Sequence, residues 1–386
     1  MIYLDYNATA PLRPAVREAM LPWLGERWGS PSSIHTPGRM ARQAVEHARR
    51  ALAGLLRTHA SQVLFTSGGT EANNTLLTGL AAANDHAGEI IVSAVEHPSI
   101  LEPCQALARR GIRLLVAPVD GQGVVDADWI TSALRPETFL VSVMHANNET
   151  GVMQPVAAIG AACRARGVPL HVDATQTVGK VVVDLEHLPV DFLTVSAHKL
   201  GGPQGIGALI VDKRRPMEPL LRGGGQESGR RSGTENVPGI VGFGAAVTAL
   251  SPGLEAEAQR LQQLRAHLED GLLAEIPEGI LFGRKTARLP NTTLLGLEGL
   301  EGETLVMNMD LAGFAVSGGS ACSSGRVAFS PVLRAMGVPE TLGRGAVRIS
   351  LGWNSQLAEV DRFIQSFARV VRRLRTMSGA LPATGG

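Results

Sequence analysis

The sequence predicts an α/β protein with a seven-stranded, mainly parallel sheet and a second, smaller α+β domain. Between residues 63 and 211, short apolar runs rich in β-branched residues alternate with helical segments, and this pattern builds a parallel sheet with helices on both faces. After about Gly244 that alternation ends, and a long amphipathic helix is followed by scattered strands. The predicted units are a large domain at 15–245, a small domain at 1–14 and 246–376, and a disordered tail at 377–386.

The individual elements follow from hydrophobic periodicity and from the residues that interrupt it. Segment 4–11 is expected to form a short strand and a turn, and the Gly/Pro-rich segment 29–39 is expected to form a loop. Apolar residues at helical spacing predict helices at 14–24, 40–56, 254–275 and 357–374. The runs predicted to form the large sheet are 63–66, 90–94, 114–118, 139–145, 170–174, 192–196 and 208–211. Later strands are expected at 291–297, 315–317 and 347–350.

Composition is that of an ordinary globular protein. The chain has 386 residues, of which 44% are hydrophobic and 18% charged, and this is enough to bury a large core and a smaller one. A formal net charge of +1 disfavours a dedicated nucleic-acid surface. The amino terminus lacks a signal-peptide pattern, no apolar run approaches the roughly 20 residues of a membrane helix, and the few cysteines are far apart. We therefore expect a cytoplasmic protein without direct nucleic-acid contact, membrane association or disulfides.

Lys199 lies three residues after the predicted strand 192–196 and is followed directly by a Gly/Pro-rich loop. The carboxyl edge of a parallel sheet is where ligands bind. The chain has only three other lysines, and Lys180, Lys213 and Lys285 all fall in turns or loops where a solvated amine is expected. By position alone, Lys199 is either a lysine that extends to water, which is the commoner case, or an amine that forms a Schiff base with a carbonyl cofactor. Other strand ends favour the second interpretation.

Four of those strand ends carry polar residues that suit such a cofactor. Gly69 and Thr70 open a helix whose backbone N–H groups can bind a phosphate, although Thr70 also suits a plain helix cap. Asp173 can pair with a protonated pyridine nitrogen, or it can cap a helix. His97 precedes a proline, where histidine is more often structural, but an imidazole can also stack on a ring and transfer protons. Together with Asn148 at a fourth strand end, they favour a pyridoxal 5′-phosphate (PLP) site.

Six short motifs that include these residues occur along the chain in the order Gly69-Thr70-Glu71, Glu96-His97-Pro98, Asn147-Asn148-Glu149, Asp173-Ala174-Thr175-Gln176, Ser196-Ala197-His198-Lys199 and Arg231-Ser232-Gly233-Thr234. The series resembles the cysteine desulfurases of the NifS/IscS type, which are PLP enzymes of the class V aminotransferase family. The resemblance extends from residue 4 to residue 351 and implies fold type I of the PLP-dependent transferases. One departure is Ser30, where the family usually has asparagine.

The resemblance implies a set of cofactor contacts. Lys199 would carry PLP covalently, Asp173 would pair with the ring nitrogen, and Gln176 would bond the ring hydroxyl. The other implied contacts are Gly69, Thr70, Ser196 and His198 at the phosphate, His97 stacked on the ring, Asn148 beside it, and Thr234 on the phosphate of the other subunit's cofactor. A contact from one subunit to the other's cofactor implies a homodimer.

The resemblance also implies that L-cysteine is the substrate and that Lys199, His97 and Cys322 are the catalytic residues. Asn148 and Arg348 would bind the substrate, because a planar guanidinium can hold a carboxylate with two hydrogen bonds. Lys199 would remove the α proton, and His97 would donate and accept protons. The expected products are L-alanine and a persulfide on Cys322.

Cys322 lies in the small-residue stretch 317–325, which cannot pack a core and is therefore expected to be mobile and exposed. Cys104 and Cys163 are interpreted as structural instead. A thiolate on a flexible segment can attack the substrate sulfur and carry it outward, whereas the plainer alternative is an inert loop cysteine. The acceptors that the resemblance implies are an iron–sulfur scaffold protein, with Cys322 as a transient iron–sulfur ligand shared with it, or a sulfur carrier for tRNA thiolation.

Two alternatives to a cysteine desulfurase remain open. A selenocysteine lyase or another class V aminotransferase would need Lys199 and Asp173 but not Cys322. A non-catalytic scaffold-assembly subunit would use the same sheet edge without chemistry. The sequence disfavours that second alternative, because no GxGxxG follows the first sheet strand and all of the predicted cofactor residues are present.

Overall fold

The structure is a computed structural model, and it describes residues 1–211, 215–319 and 329–377. The strands are β1 (Ile2–Tyr3), β2 (Val63–Thr66), β3 (Glu89–Ser93), β4 (Arg113–Ala117), β5 (Thr138–Met144), β6 (Leu170–Asp173), β7 (Phe192–Ser196), β8 (Gly207–Val211), β9 (Ile280–Leu281), β10 (Thr292–Gly296), β11 (Phe314–Ala315), β12 (Ser317–Gly318) and β13 (Val347–Ser350). The helices are α1 (Pro14–Leu24), α2 (Thr36–Leu55), α3 (Gly69–Ala83), α4 (Pro98–Ala108), α5 (Ala127–Ala133), α6 (Val156–Ala165), α7 (Val237–Leu250), α8 (Leu254–Glu275), α9 (Gly302–Leu311), α10 (Pro331–Ala335), α11 (Glu340–Gly343) and α12 (Leu357–Met377).

The seven strands predicted between residues 63 and 211 form one sheet in the order β2-β8-β7-β6-β5-β3-β4. Strands β7, β6, β5, β3 and β4 are parallel to one another, and β8 is antiparallel to both β2 and β7. Every residue of β5 is buried, because helices cover both faces of the sheet. The predicted fold class, α/β with a seven-stranded and mainly parallel sheet, is confirmed.

Alternate residues of one strand face the two helical layers. Ile90 and Val92 of β3 belong to the core that includes residues of α3 and α4. Ile91, between them, belongs to the core on the other face, which includes residues of α1, α2, α6 and α7. This alternation is the period of two that a strand imposes on its side chains. It leaves the strand ends, rather than the strand middles, available for polar residues.

A smaller sheet in the order β12-β13-β10-β9 is antiparallel throughout and shares a core with α8 and α12. The amino-terminal β1 pairs with β11, so the chain begins next to its carboxyl-terminal part. The single strand expected at 315–317 is instead split into β11 and β12, because Phe314 pairs with Ile2 whereas Ser317 pairs with Arg348. The domain boundaries proposed from the sequence remain predictions.

Helix α2 begins four residues earlier than the expected residue 40. The His35 side chain caps it by accepting a hydrogen bond from the Gly38 backbone N–H at 3.2 Å. A Cβ on Gly38 would lie 2.6 Å from the Ser33 carbonyl oxygen, so this glycine permits a close approach rather than ending a helix. The Gly/Pro-rich segment therefore contributes the first turn of α2.

The helical run Val237–Glu275 is long and apolar enough to cross a membrane by length and composition, contrary to the expectation from the sequence. Just over half of its most apolar window, 56%, is buried inside the protein. Ile240, Phe243 and Val247 of α7 pack in the core beneath the large sheet. A helix that is apolar on all sides and covered by its own chain is typical of a protein core.

Candidate active site

A cavity of about 340 Å³ opens where β5, β6 and β7 end at the carboxyl edge of the large sheet. A larger cavity of about 840 Å³, between α2 and the segment 225–230, is lined by none of the predicted site residues, so size alone does not identify the site. The predicted residues that line the smaller cavity are Gly69, Thr70, His97, Asn148, Asp173, Gln176, Ser196, His198, Lys199 and Arg348. The lining residues that the sequence analysis did not single out are Asn7, Ala8, Ser99, Met144, Ala146 and Thr175.

Lys199 lies in a short helical turn that directly follows β7. Its Nζ donates hydrogen bonds to the backbone carbonyl oxygens of Asn7, at 2.5 Å, and Ala8, at 2.7 Å. The amino-terminal segment thus forms one wall of the cavity, opposite the strand ends. The sequence does not predict this wall, because the interaction uses backbone carbonyls. Every residue has a backbone carbonyl, so the residue type does not reveal its role.

Asp173 ends β6 and is buried, with 6% of its surface exposed. Its two carboxylate oxygens accept hydrogen bonds from the Asn73 side-chain amide at 2.9 Å and from the Thr175 backbone N–H at 3.0 Å. Both of these donors are neutral, so the negative charge is oriented by them and not cancelled. Asn73 was missed by the sequence analysis, although its position three residues after Thr70 places both on one face of α3.

His97 caps α4 and precedes Pro98, which holds it in extended backbone outside the helix. Its Nδ1 accepts a hydrogen bond from the Ser99 backbone N–H at 3.1 Å. Burial lowers the pKa of His97, Asp173 opposes that shift, and Lys199 adds to it. The imidazole is therefore neutral at physiological pH, and its proton is on Nε2 because Nδ1 is the acceptor.

The other end of the cavity is suited to an anion. Thr70 lies in the first turn of α3, where backbone N–H groups and the helix dipole favour negative charge. Ser196 ends β7, and the Nδ1 of His198 is 3.1 Å from the Thr9 hydroxyl oxygen. Burial, together with Lys199 and Lys180, lowers the pKa of His198 to about 4, so this ring is neutral as well. The Thr175 hydroxyl is buried and has no partner in the described part of the chain.

These features fit PLP. A buried carboxylate with only neutral donors suits a protonated ring nitrogen, and a helix start with nearby hydroxyls suits a phosphate. Gly69 keeps that end open, because a Cβ there would lie 3.2 Å from the unpartnered hydroxyl oxygen of Thr175. Lys199 supplies a primary amine to the same cavity.

Arg348 on β13 forms part of the cavity wall, with only 2% of its side chain exposed. Its Nη1 donates to the Asn148 backbone oxygen at 3.0 Å, and its Nη2 donates to Asp5 at 2.7 Å. Asp5 in turn accepts a hydrogen bond from the Ser317 hydroxyl at 2.8 Å. Within the described residues, the Nε of Arg348 is buried without a partner. The guanidinium is therefore held by Asp5 and by the Asn148 backbone, and its buried Nε–H is unpaired within the described residues.

Two predicted site residues are not in the cavity wall. Thr234 is exposed, and its segment is joined to α3 by an ion pair between Arg231 and Glu71 at 2.8 Å. Its predicted contact is with the cofactor of another subunit. Cys322, the predicted sulfur carrier and transient iron–sulfur ligand, lies outside the described residues, as do Lys213 and the tail from residue 378 onward.

The remaining two cysteines differ from the one predicted to react. Cys104 and Cys163 are both buried and free. Burial raises the pKa of each thiol to about 12. A thiol that resists ionisation is a poor nucleophile, so their interpretation as structural residues agrees with their surroundings.

The expectation that Lys180 is solvated is wrong. The residue is only 7% exposed, and its Nζ donates to the side-chain oxygens of Asn7 and Gln176. The sequence suggested a surface turn because Lys180 follows Gly179, which does adopt a positive φ of 83°. That turn is packed inside the protein instead, since a Cβ on Gly179 would collide with the Leu200 side chain.

The chain is similar over nearly its whole length to proteins of known family. The family model of the class V aminotransferases matches residues 2–363. The chain is 42% identical over 378 residues to the cysteine desulfurase IscS of Dictyoglomus turgidum, covering 98% of this chain and 96% of that protein. It is 45% identical over 379 residues to a cysteine desulfurase of Cereibacter sphaeroides, covering 98% of this chain and 97% of that protein. The solved structure of a NifS-like protein matches with a TM-score of 0.90 at 35% identity, covering 96% of this chain and 99% of that one.

Proposed function

The chain belongs to the class V aminotransferase family and is a cysteine desulfurase of the NifS/IscS type, and from this premise we propose that it transfers the sulfur of L-cysteine to Cys322 and releases L-alanine. One observation carries the proposal. Lys199, Asp173 and His97, which come from three different strand ends, line a single cavity together with Arg348 from the smaller sheet. An amine, a buried carboxylate, a neutral imidazole and a guanidinium in one cavity match the needs of this reaction.

The residues that would hold PLP are those of the cavity wall. Lys199 would bind it covalently, Asp173 would face its ring nitrogen, His97 would stack on the ring with Asn148 beside it, and Gln176 would meet its hydroxyl. The phosphate would be bound by Gly69, Thr70, Ser196 and His198, and by Thr234 of a second copy of the chain in a homodimer. When bound, PLP supplies an electron sink for the carbon that loses its proton.

The chain's own groups would orient the substrate and move its protons. Arg348 would bind the carboxylate of L-cysteine, and the Asn148 side chain would lie beside it. The Lys199 amine would accept the α proton and return it, because it can act as a base when it is unprotonated. The neutral imidazole of His97 carries a proton on Nε2 that it can donate, so it would serve the second proton transfer.

The sulfur step is a transfer between two thiols. The Cys322 thiolate attacks the substrate sulfur, an S–S bond forms, and the carbon–sulfur bond breaks. The electron pair of the broken bond stays with the carbon, which takes up a proton and becomes the methyl group of alanine. Cys322 is oxidised to a persulfide while that carbon is reduced, so no external oxidant or reductant is needed.

We also propose that the persulfide sulfur passes to an acceptor protein in the cytoplasm. The acceptor would be an iron–sulfur scaffold, with Cys322 as a transient ligand of the nascent cluster, or a sulfur carrier for tRNA thiolation. Both acceptors are those that the resemblance to the NifS/IscS type implies.

Mass spectrometry of the PLP-loaded protein after addition of L-cysteine tests the proposal. We expect a mass increase of one sulfur on Cys322 and one alanine released for each sulfur transferred. Cys322→Ala should abolish both, and Lys199→Ala should remove the lysine-linked chromophore and lower turnover by roughly 10³-fold or more. Lys285→Ala, at an exposed lysine, is the matched control and should behave like the wild type. Persulfide transfer that survives in Cys322→Ala would refute the proposed carrier.

A further inference from the structure

Lys180 carries a buried amine that the proposed reaction does not use. Its Nζ donates to the side-chain oxygen of Asn7 at 2.7 Å and to that of Gln176 at 2.6 Å. Both partners are neutral amides. Burial lowers the pKa of Lys180 well below its usual value, and Lys199 and Arg348 add to the shift. The charged form of the amine is costly to bury beside neutral partners only, and this cost is the main cause of the lowered pKa.

The orientations of both amides are set by groups that can only accept hydrogen bonds. The Gln176 Nε2 donates to the backbone carbonyl oxygen of Asn7 at 3.0 Å, which directs Oε1 toward Lys180. The Asn7 Nδ2 donates to the Asn148 carbonyl oxygen at 3.2 Å, which likewise directs Oδ1 toward Lys180. With the amides oriented in this way, both of their oxygens face the Lys180 Nζ, which is the donor in both contacts. Turning either amide over would place its oxygen against a carbonyl oxygen, which cannot donate.

Asn7 joins this arrangement to Lys199. The carbonyl oxygen that accepts from the Gln176 amide also accepts from the Nζ of Lys199 at 2.5 Å. The amide N–H of Gln176 and the amine of Lys199 therefore converge on one atom in the cavity wall. Lys180 is not among the residues that line the cavity, and it bonds the side chains of Asn7 and Gln176.

We propose that Lys180 is a positioning residue, which holds Gln176 and Asn7 so that the Gln176 amide presents its N–H, and not its oxygen, to the cavity beside Lys199. The inference rests on the proposed function in one respect, namely that the ligand of this cavity is PLP. A ligand hydroxyl or oxyanion beside Lys199 would then accept a hydrogen bond from the Gln176 N–H.

Without the Lys180 amine, two buried oxygens lose a donor. Gln176 is only 5% exposed, so its Oε1 has little access to water. A buried oxygen left unsatisfied is unfavourable, so the amide is expected to turn toward another donor. The Lys199 amine shares the same junction at Asn7 and is the donor for which the turned amide would compete. PLP would then face the Gln176 oxygen instead of its N–H. The Lys199 amine would already be hydrogen-bonded to that oxygen.

The experiment compares cofactor capture in Lys180→Met, Lys180→Gln and the control Lys285→Met. Lys180→Met keeps the length of the chain and removes the donor, whereas Lys180→Gln keeps an N–H. Each apo-protein is titrated with PLP, and the dissociation constant and uptake rate are followed by absorbance. We expect the dissociation constant to rise about tenfold in Lys180→Met and less in Lys180→Gln. Lys285→Met, at an exposed position, should match the wild type.

A double-mutant cycle with Gln176→Ala separates positioning from a general structural effect. If Lys180 acts through the Gln176 amide, adding Lys180→Met to Gln176→Ala should change the PLP dissociation constant less than about twofold. An equal, tenfold loss in both backgrounds would overturn the proposal, and so would wild-type capture in both Lys180 variants.

Thermal unfolding of each apo-protein shows whether the variant folds. If Lys180→Met does not fold, Lys180→Gln alone carries the cycle, and failure of both to fold would show that the role is structural and the proposal wrong. A wild-type protein that does not bind PLP would refute the proposed function instead, so the two failures are distinguishable.

Discussion

The cavity has two walls that are built in different ways. The strand-end wall consists of residues at the carboxyl ends of the large sheet and the starts of the following helices, and it presents side chains such as Asp173 and Lys199. The amino-terminal wall consists of residues 5–9, and it presents backbone carbonyls and the side chains of Asp5 and Asn7. The first wall holds the groups that suit the chemistry. The second holds those groups in place, since both Lys199 and Arg348 bond to it.

This difference predicts different costs of substitution. Residues of the strand-end wall should matter most for activity, because their side chains would meet the cofactor or substrate. Residues of the amino-terminal wall should matter for stability and orientation, because their bonds are made to the protein itself. Three substitutions test this contrast, namely Asn7→Ala, Asp5→Asn and Glu96→Gln.

Asn7→Ala should be the most destabilising of the three. The Asn7 side chain is buried and bonds Thr292, Asn148, Lys180 and Asn291. Each buried group that loses its partner costs about 1–3 kcal/mol, so we expect the free energy of unfolding of the apo-protein to fall by about 3 kcal/mol. Denaturation in urea measures this change.

Thr70→Ala in the strand-end wall is the control for Asn7→Ala. Thr70 is exposed in the apo-protein, so the same measurement should change by less than about 0.5 kcal/mol. Equal losses of stability in the two variants would contradict the division between a reactive wall and a supporting wall.

The difference between the walls also explains what the sequence predicts well. The seven strands of the large sheet were expected within a residue of their observed ends, because buried parallel strands are continuous apolar runs. Asp173 and Lys199 were found because a reactive side chain at a strand end is visible in the residues themselves. Asn7 and Lys180 were missed, since they are joined by a contact between residues 173 positions apart. A Gly-Lys pair reads as a surface turn unless the packing around the glycine is known.

Asp5→Asn tests whether the amino-terminal wall orients Arg348. The ion pair between Asp5 and Arg348 at 2.7 Å is largely shielded from water, with 17% and 2% of the two side chains exposed. Removing the charge while keeping an oxygen should let the guanidinium rotate, so we expect KM for L-cysteine to rise about tenfold with kcat changed less than about threefold. Steady-state kinetics of the PLP-loaded enzyme measures both constants.

Ser317→Ala is the matched control for Asp5→Asn, because it removes the other hydrogen bond to the Asp5 carboxylate and leaves the Asp5–Arg348 ion pair in place. It should leave KM within about twofold of the wild type. A fall in KM in Asp5→Asn would show that Asp5 competes with the substrate carboxylate, and that this wall does not serve to orient the arginine.

Glu96→Gln gives the smallest effect near pH 5 and tests whether a buried carboxyl group next to the strand-end wall is protonated in the folded protein. Glu96 precedes His97 and is buried, and its Oε1 accepts from the Ser93 hydroxyl and the Met144 backbone N–H. Burial raises the pKa of Glu96 to about 8, and the charge of Asp173 adds to the shift. The folded protein therefore binds a proton that the unfolded chain releases above its ordinary pKa, so stability should fall as pH rises from about 4.5 to about 8.

Glutamine mimics the protonated acid, so Glu96→Gln should remove this loss of stability. We expect the variant to match the wild type near pH 5 and to exceed it by more than about 1 kcal/mol at pH 8 in urea denaturation. Glu102→Gln, at an exposed glutamate on α4, should follow the wild-type pH profile throughout. Equal destabilisation of Glu96→Gln at both pH values would contradict this prediction and show that the carboxylate is ionised in the folded protein.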